Sequence, residues 1–169
     1  MRIRFSIPGP SLWALLLLLI LSTAAQAGPQ TCGAELDLKG PHGDRLYDFA
    51  KGMGLRYPRA FVNIINHLES TGRLPDCFLS KREAQDRGWG PGRSLWRYAP
   101  GHSIGGSRFG NYERRLPGSY DGRYREADID YDGRRRGASR LVFVPNSKGK
   151  GLIWLTVDHY NQFHRIPKP

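Results

Sequence analysis

The sequence predicts an α+β fold, with N-terminal helices packed on one face of an antiparallel β-sheet. Three observations lead there. Apolar residues recur at helical spacing between Pro58 and Gly72. From His102 onward the pattern changes to the alternation of strands. Helices therefore come first and consecutive strands follow, which is the order of α+β domains.

Each element has its own signal. Residues 28–57 read as an extension rich in Gly, with one short helix around Asp44–Lys51. Phe61, Ile64, Ile65 and Leu68 then follow i, i+3, i+4, i+7, the stripe of an amphipathic helix. Pro58 suits its first turn and Gly72 its stop. Leu74-Pro75-Asp76 is a turn, and Ser80 with Glu83 makes a capping box that opens a short helix ending at Gly88. Gly90-Pro91-Gly92 breaks the chain before a last helical turn at Ser94–Tyr98. Strands follow. From Tyr124 to Tyr131, side chains Ala127, Ile129 and Tyr131 share one face, and Glu126, Asp128 and Asp130 share the other. Arg140–Val144 is a short strand, Asn146–Gly151 a hairpin loop, and Leu152–Val157 an apolar, buried strand. Asp158–Asn161 is a turn, and Phe163–Ile166 is the last strand. Residues 58–166 form the expected domain.

At 169 residues the chain has room for one domain and excludes the large barrel and multidomain nucleotide enzymes. Residues 1–27 have the three-part grammar of a secretory signal: Arg2 and Arg4, the apolar run Leu12–Leu21, and Ala25-Gln26-Ala27. The run is short for a spanning helix, which needs about 20 residues. The expected location is therefore secreted or periplasmic, without membrane association after cleavage. Removing that segment lowers the net charge from +11 to +9. Two cysteines, Cys32 and Cys77, remain, and in an oxidising compartment they pair as one disulfide. No C-x-x-C pair points to zinc, and the reading calls for no metal and no cofactor.

Such a charge on an exported domain suits a polyanion partner. Basic and aromatic residues interleave at Arg93, Trp96, Arg97, Tyr98 and at Arg108, Phe109, Tyr112. Arginines contact phosphates while rings stack on bases. The Gly101–Gly105 stretch fits G-x-S-x-G, but that motif needs a strand before it and a helix after it. Here Ala99-Pro100 precedes and a strand follows, so a serine hydrolase is set aside. A better set lies further on. Glu126 sits on a polar strand face, Arg134-Arg135-Arg136 and Arg140 follow, and His159 stands in a turn after a buried strand. A carboxylate can take the proton of a ribose 2′-OH, an imidazolium can protonate the departing 5′-oxygen, and guanidinium groups can hold the phosphate. Adjacent strands are expected to bring Glu126 close to Arg140, with Asp128 as partner for the arginines. On spacing alone His102 and His159 stand level as the acid.

These segments resemble one known family. Leu74-Pro75-Asp76, Ser80-Lys81-Arg82-Glu83-Ala84-Gln85, Gly88-Trp89, Ala99-Pro100-Gly101, Ser103–Gly106, Leu116-Pro117-Gly118, Arg125–Ile129 and Asp158-His159-Tyr160 run collinear with barnase-like secreted microbial ribonucleases. The resemblance spans about Arg73 to Ile166, and a helix at 59–71 fits the family's first. It implies an endoribonuclease that cleaves single-stranded RNA after guanine through a 2′,3′-cyclic phosphate. It implies Glu126 as base and His159 as acid, with Lys81, Arg136 and Arg140 on the phosphate and Asp128 organising the arginines. Asn111 and Glu113 match the guanine loop, where Tyr112 replaces an arginine of the family; Arg114 and Arg115 follow. Phe109 either stacks on the base or packs in the core, and Tyr160 adjoins the same site. The resemblance also allows a small acidic proteinaceous inhibitor and a monomeric enzyme. The rival class is a catalytically inactive basic module that binds RNA or anionic surfaces.

Overall fold

The computed structural model describes residues 30–34 and 43–168. The segment read as a signal, residues 1–27, lies outside the described residues. Among them the helices are α1 (Gly43–Gly52), α2 (Pro58–Thr71) and α3 (Lys81–Asp86). The strands are β1 (Phe78–Leu79), β2 (Ser103–Arg108), β3 (Arg125–Asp128), β4 (Arg140–Phe143), β5 (Ile153–Thr156) and β6 (His164–Arg165), and they form one sheet in sequence order. Short 3₁₀ turns cover Leu95–Arg97 and Gly118–Tyr120.

The helical stripe does what its spacing predicts. Phe61, Ile64, Ile65 and Leu68 of α2 are buried against Ala127, Leu141, Phe143, Ile153 and Leu155 of the sheet. Pro58 opens α2, and Gly72 closes it in the left-handed region at φ 75°. A Cβ on Gly72 would fall 2.8 Å from the backbone of Asn146, so the position needs glycine twice over. The capping box at Ser80 is present in full: Glu83 N–H donates to Ser80 Oγ, and Ser80 N–H donates to Glu83 Oε2 at 2.7 Å. These bonds hold the Glu83 carboxyl below its ordinary range.

Three readings are refined. β1 pairs in parallel with β2, an element of two residues that is too short for any periodicity to show; the other pairs are antiparallel. β3 ends at Asp128 rather than at Tyr131, because Asp130 turns into the left-handed region at φ 61°. The extension also contributes to the core: Leu46 and Ala50 of α1, and Leu55 after it, are buried in the same apolar cluster as α2.

Cys32 and Cys77 are bonded, as their number and compartment predict. The bridge ties the segment at 30–34 to the residue before β1, whose carbonyl accepts from Ser103 N–H at 3.0 Å. It closes a loop with a sequence separation of 45. The chain-entropy model gives such a closure about 3–4 kcal/mol. The Cys32→Ala/Cys77→Ala double variant should lose about that much unfolding free energy in a denaturant titration; an unchanged midpoint would show that the closure contributes nothing.

Candidate active site

Strand alternation separates the two faces of the sheet. Ala127, Leu141, Phe143, Ile153 and Leu155 face the helices, so Glu126 and Asp128 of β3, Arg140 of β4 and Thr156 of β5 project from the opposite face. The register sets Asp128 opposite Arg140, and Arg140 opposite Thr156, in one row across three strands. Glu126 lies opposite Val142. Arg140 thus faces Asp128, the partner expected for the arginines, and Glu126 sits two residues along on the same face of the adjacent strand.

Asp128 holds both arginines. Arg136 Nη2 donates to its Oδ1 at 2.7 Å, and Arg136 Nε to its Oδ2 at 2.5 Å. Arg140 Nε lies 3.0 Å from Oδ1. Asp128 and Arg140 are buried, with side chains 4% and 6% exposed. Arg140 Nη1 also donates to the carbonyls of Gly137 and Ser139, both at 2.7 Å. The bonds to Asp128 push the Arg136 guanidinium up from its ordinary value, so it stays charged.

Glu126 has two neighbours. Tyr160 O–H donates to its Oε2 at 2.6 Å, and Lys81 Nζ lies 3.8 Å from its Oε1. Burial, and then the bond to Glu126, push the Tyr160 phenol well above its ordinary value, which keeps it a donor. The capping box sets Lys81 at the first position of α3.

His159 sits on a turn that Thr156 and Asp158 build. Thr156 Oγ1 donates to Asp158 Oδ1 at 2.9 Å and accepts from Tyr160 N–H at 3.0 Å. Gln162 N–H donates to Asp158 Oδ1 at 3.0 Å, and this bond draws the Asp158 carboxyl below its ordinary range. His159 and Tyr160 are both left-handed, at φ 52° and 70°. Two consecutive non-glycine residues there carry backbone strain that the surrounding bonds hold in place, a pattern found at functional sites. The exposed imidazole lines two clefts at once.

The larger cleft, about 550 Å³, is lined by Arg136 and Arg140 together with Arg93 and Arg135. The sequence marked Arg93 in the basic and aromatic interleave and Arg135 in the arginine run but assigned neither to the phosphate; their loops meet only in three dimensions. Ser94 O–H donates to the Gly133 carbonyl, and Leu95 N–H to Tyr131 O–H at 2.9 Å. Trp96 packs against Gly133, where a Cβ would fall 2.1 Å from the ring.

The smaller cleft, about 190 Å³, is lined by Phe109, the Gly110–Glu113 loop and Tyr160. Asn111 is buried, and its amide is committed to the loop itself: Nδ2 donates to the Leu116 carbonyl at 2.7 Å and to Asp121 at 2.9 Å, while Oδ1 accepts from Leu116 N–H at 3.0 Å. Tyr112 is 94% exposed. Phe109 packs against Tyr124 and Phe163 and also lines the cleft near Tyr160, with ring centroids 5.3 Å apart. Glu113 points to solvent and pairs with Arg115 at 2.6 Å. Arg115 in turn donates to the carbonyls of Tyr160 and Asn161, joining this loop to the His159 turn.

His102 sits at the mouth of β2 with its Nδ1 2.9 Å from the Pro100 carbonyl and lines neither of these clefts. Ser103, the serine of the rejected motif, is the first residue of β2 and is buried.

Comparison with known proteins agrees with this geometry. A ribonuclease family model matches residues 57–167. A ribonuclease from Heyndrickxia coagulans is 41% identical over 107 residues, which cover 63% of this chain and 94% of that protein. Ribonucleases from Bacillus intermedius and Bacillus pumilus are each 41% identical over 107 residues, covering 63% of this chain and 64% of their own length. With a matched domain built on a helix-backed sheet, and with the family's segments in order along it, the chain belongs to the barnase-like family of microbial ribonucleases.

Proposed function

We propose that this chain is an exported, metal-independent endoribonuclease that cleaves single-stranded RNA after guanine. Glu126 takes the proton from the ribose 2′-OH. The 2′-oxygen attacks phosphorus, and the 5′-oxygen leaves with a proton from His159, giving a 2′,3′-cyclic phosphate and a free 5′-OH. In the second step His159 takes a proton from water, the water oxygen attacks phosphorus, and Glu126 returns its proton to the 2′-oxygen. The nucleophile is internal to the substrate, so proximity supplies much of the advantage and no metal is needed to make one. Arg136, Arg140 and Lys81 stabilise the charge on the phosphate. One observation carries the reading: His159, Arg136 and Arg140 line a single cleft, and Tyr160, next to His159 in the chain, bonds the Glu126 carboxylate.

The smaller cleft is assigned to the guanine base. Glu113 accepts from its Watson–Crick edge, in competition with Arg115, and Phe109 and Tyr112 offer ring faces. Asn111 shapes the loop through its own bonds. Export is supported by the bonded Cys32–Cys77 pair, which belongs to an oxidising compartment. The positive cleft also suits a small acidic inhibitor.

Four outcomes test this. With a chelator present, the protein should cut RNA to cyclic phosphates and leave DNA of the same sequence intact. Glu126→Gln and His159→Ala should each lower kcat about 10²- to 10⁴-fold, against a bell-shaped pH profile in the parent; binding without cleavage would mark a silent RNA-binding module instead. Glu113→Gln should reduce the preference for guanine over adenine on matched dinucleotides by roughly 10- to 100-fold, while adenine substrates change little. Asp128→Asn leaves the buried Arg140 uncompensated and should cost about 3–5 kcal/mol of stability by denaturant titration.

A further inference from the structure

Residues 30–34 and 43–56 lie outside the part of the chain that matches the family, yet Thr31 and Arg56 reach the loop that carries Arg136. That loop runs from the end of β3 to the start of β4, and its first residues are Ile129, Asp130, Tyr131 and Asp132. The extension holds three of them. Thr31 O–H donates to the Tyr131 carbonyl at 2.7 Å in a buried bond. Arg56 Nη2 donates to the Asp130 carbonyl at 2.7 Å, and its Nε to Asp130 Oδ2 at 3.2 Å. Arg56 Nη1 donates to Asp132 Oδ2 at 2.6 Å. The guanidinium thus bridges two carboxylates and one carbonyl, which a planar fork does and an ammonium does not. Tyr57, the last residue of the extension and the first that the family model matches, donates its N–H to Asp130 Oδ1 at 2.9 Å.

These contacts are anchored at both ends. Thr31 precedes Cys32, whose disulfide to Cys77 fastens it to the body. Arg56 follows α1, which is buried against α2. On the loop side, Asp132 passes the constraint on: its Oδ1 accepts from Arg134 N–H at 3.1 Å, two residues before Arg136. Asp130 is left-handed at φ 61°, and its carboxylate and carbonyl both take part in the bonds to Arg56 and Tyr57.

We propose that Thr31 and Arg56 are positioning residues: the N-terminal extension is a brace that holds the backbone of residues 130–132 so that Arg136 meets the phosphate in its working geometry. This rests on the ribonuclease reading for its effect on rate, but not for its effect on the loop. Small misplacement of a phosphate-holding group is costly, on the order of 10²-fold per ångström. Loss of the brace therefore lowers kcat. It leaves the ratio of guanine to adenine preference as it was, because the base cleft is built from residues 109–115 and the His159 turn.

The test uses the full chain in its oxidised form, at a temperature where every variant is folded by circular dichroism. Thr31→Val removes the hydroxyl at constant shape, Thr31→Ser restores it, and Arg56→Lys keeps charge without the fork. Two readouts are taken: kcat and KM on guanylyl and adenylyl dinucleotides, and amide hydrogen exchange across residues 130–137. Thr31→Val and Arg56→Lys should each lose about tenfold or more in kcat at unchanged base preference. Their Arg134 amide should exchange faster while β4 and β5 stay protected, and Thr31→Ser should recover both signals. Parent-like kcat in Thr31→Val and Arg56→Lys overturns the brace, as does exchange that is unchanged at Arg134 or raised evenly over the sheet. If the parent cleaves no RNA, the ribonuclease reading fails, and the exchange experiment alone decides for or against the brace.

Discussion

A single buried carboxylate, that of Asp128, holds two guanidinium groups at once. An arginine as buried as Arg140 cannot stand there without a counter-charge, and a buried carboxylate cannot stand there without donors. Asp128 meets both needs from one position on β3, directly across from Arg140. Arg136 then comes in from the loop and shares the same carboxylate. Two arginines are balanced by one acid, so the pair keeps a positive charge turned toward the cleft. The positive cleft proposed for the phosphate is therefore a consequence of how the sheet solves its own electrostatic problem.

The sheet makes this possible because each strand has two faces. One face packs its apolar residues against α1 and α2. The other carries Glu126, Asp128, Arg140 and Thr156 beside the buried Val142 and Trp154. Thr156 extends the row into the turn that follows β5, where its hydroxyl organises the backbone that presents His159. The groups proposed as base, acid and phosphate holders thus come from neighbouring strands, the connections after them and the first turn of α3. Rigid strands set the spacing, while strained or tightly tied loops set the direction. Arg115 and Tyr160 tie the two clefts together, so the base loop and the histidine turn form one unit.

Much of this was legible in the chain. The stripe Phe61-Ile64-Ile65-Leu68, the Ser80–Glu83 box and the alternation around Ala127 each depend on residues within one or two turns of one another, so local chemistry sufficed. A lone pair of cysteines admits one pairing, and it formed. Glu126 and His159 could be picked out as chemically apt, but choosing His159 over His102 required resemblance to a family. The structure separates the two histidines by place: one lines both clefts, the other rests against the Pro100 carbonyl.

What sequence determined by itself is therefore the longer elements, their order and the residue types able to do the chemistry, because these follow from backbone periodicity and side-chain functional groups. What only the tertiary structure decided is which groups meet. Register placed Arg140 opposite Asp128 rather than Glu126, since a shift of two residues along a strand preserves the face and leaves no trace in the pattern. The parallel pairing of β1, the burial of the Asn111 amide in its own loop, and the grip of Thr31 and Arg56 on residues 130–132 are contacts between distant parts of the chain. Their geometry is a property of the packed core that brings those parts together, and no local window of sequence contains it.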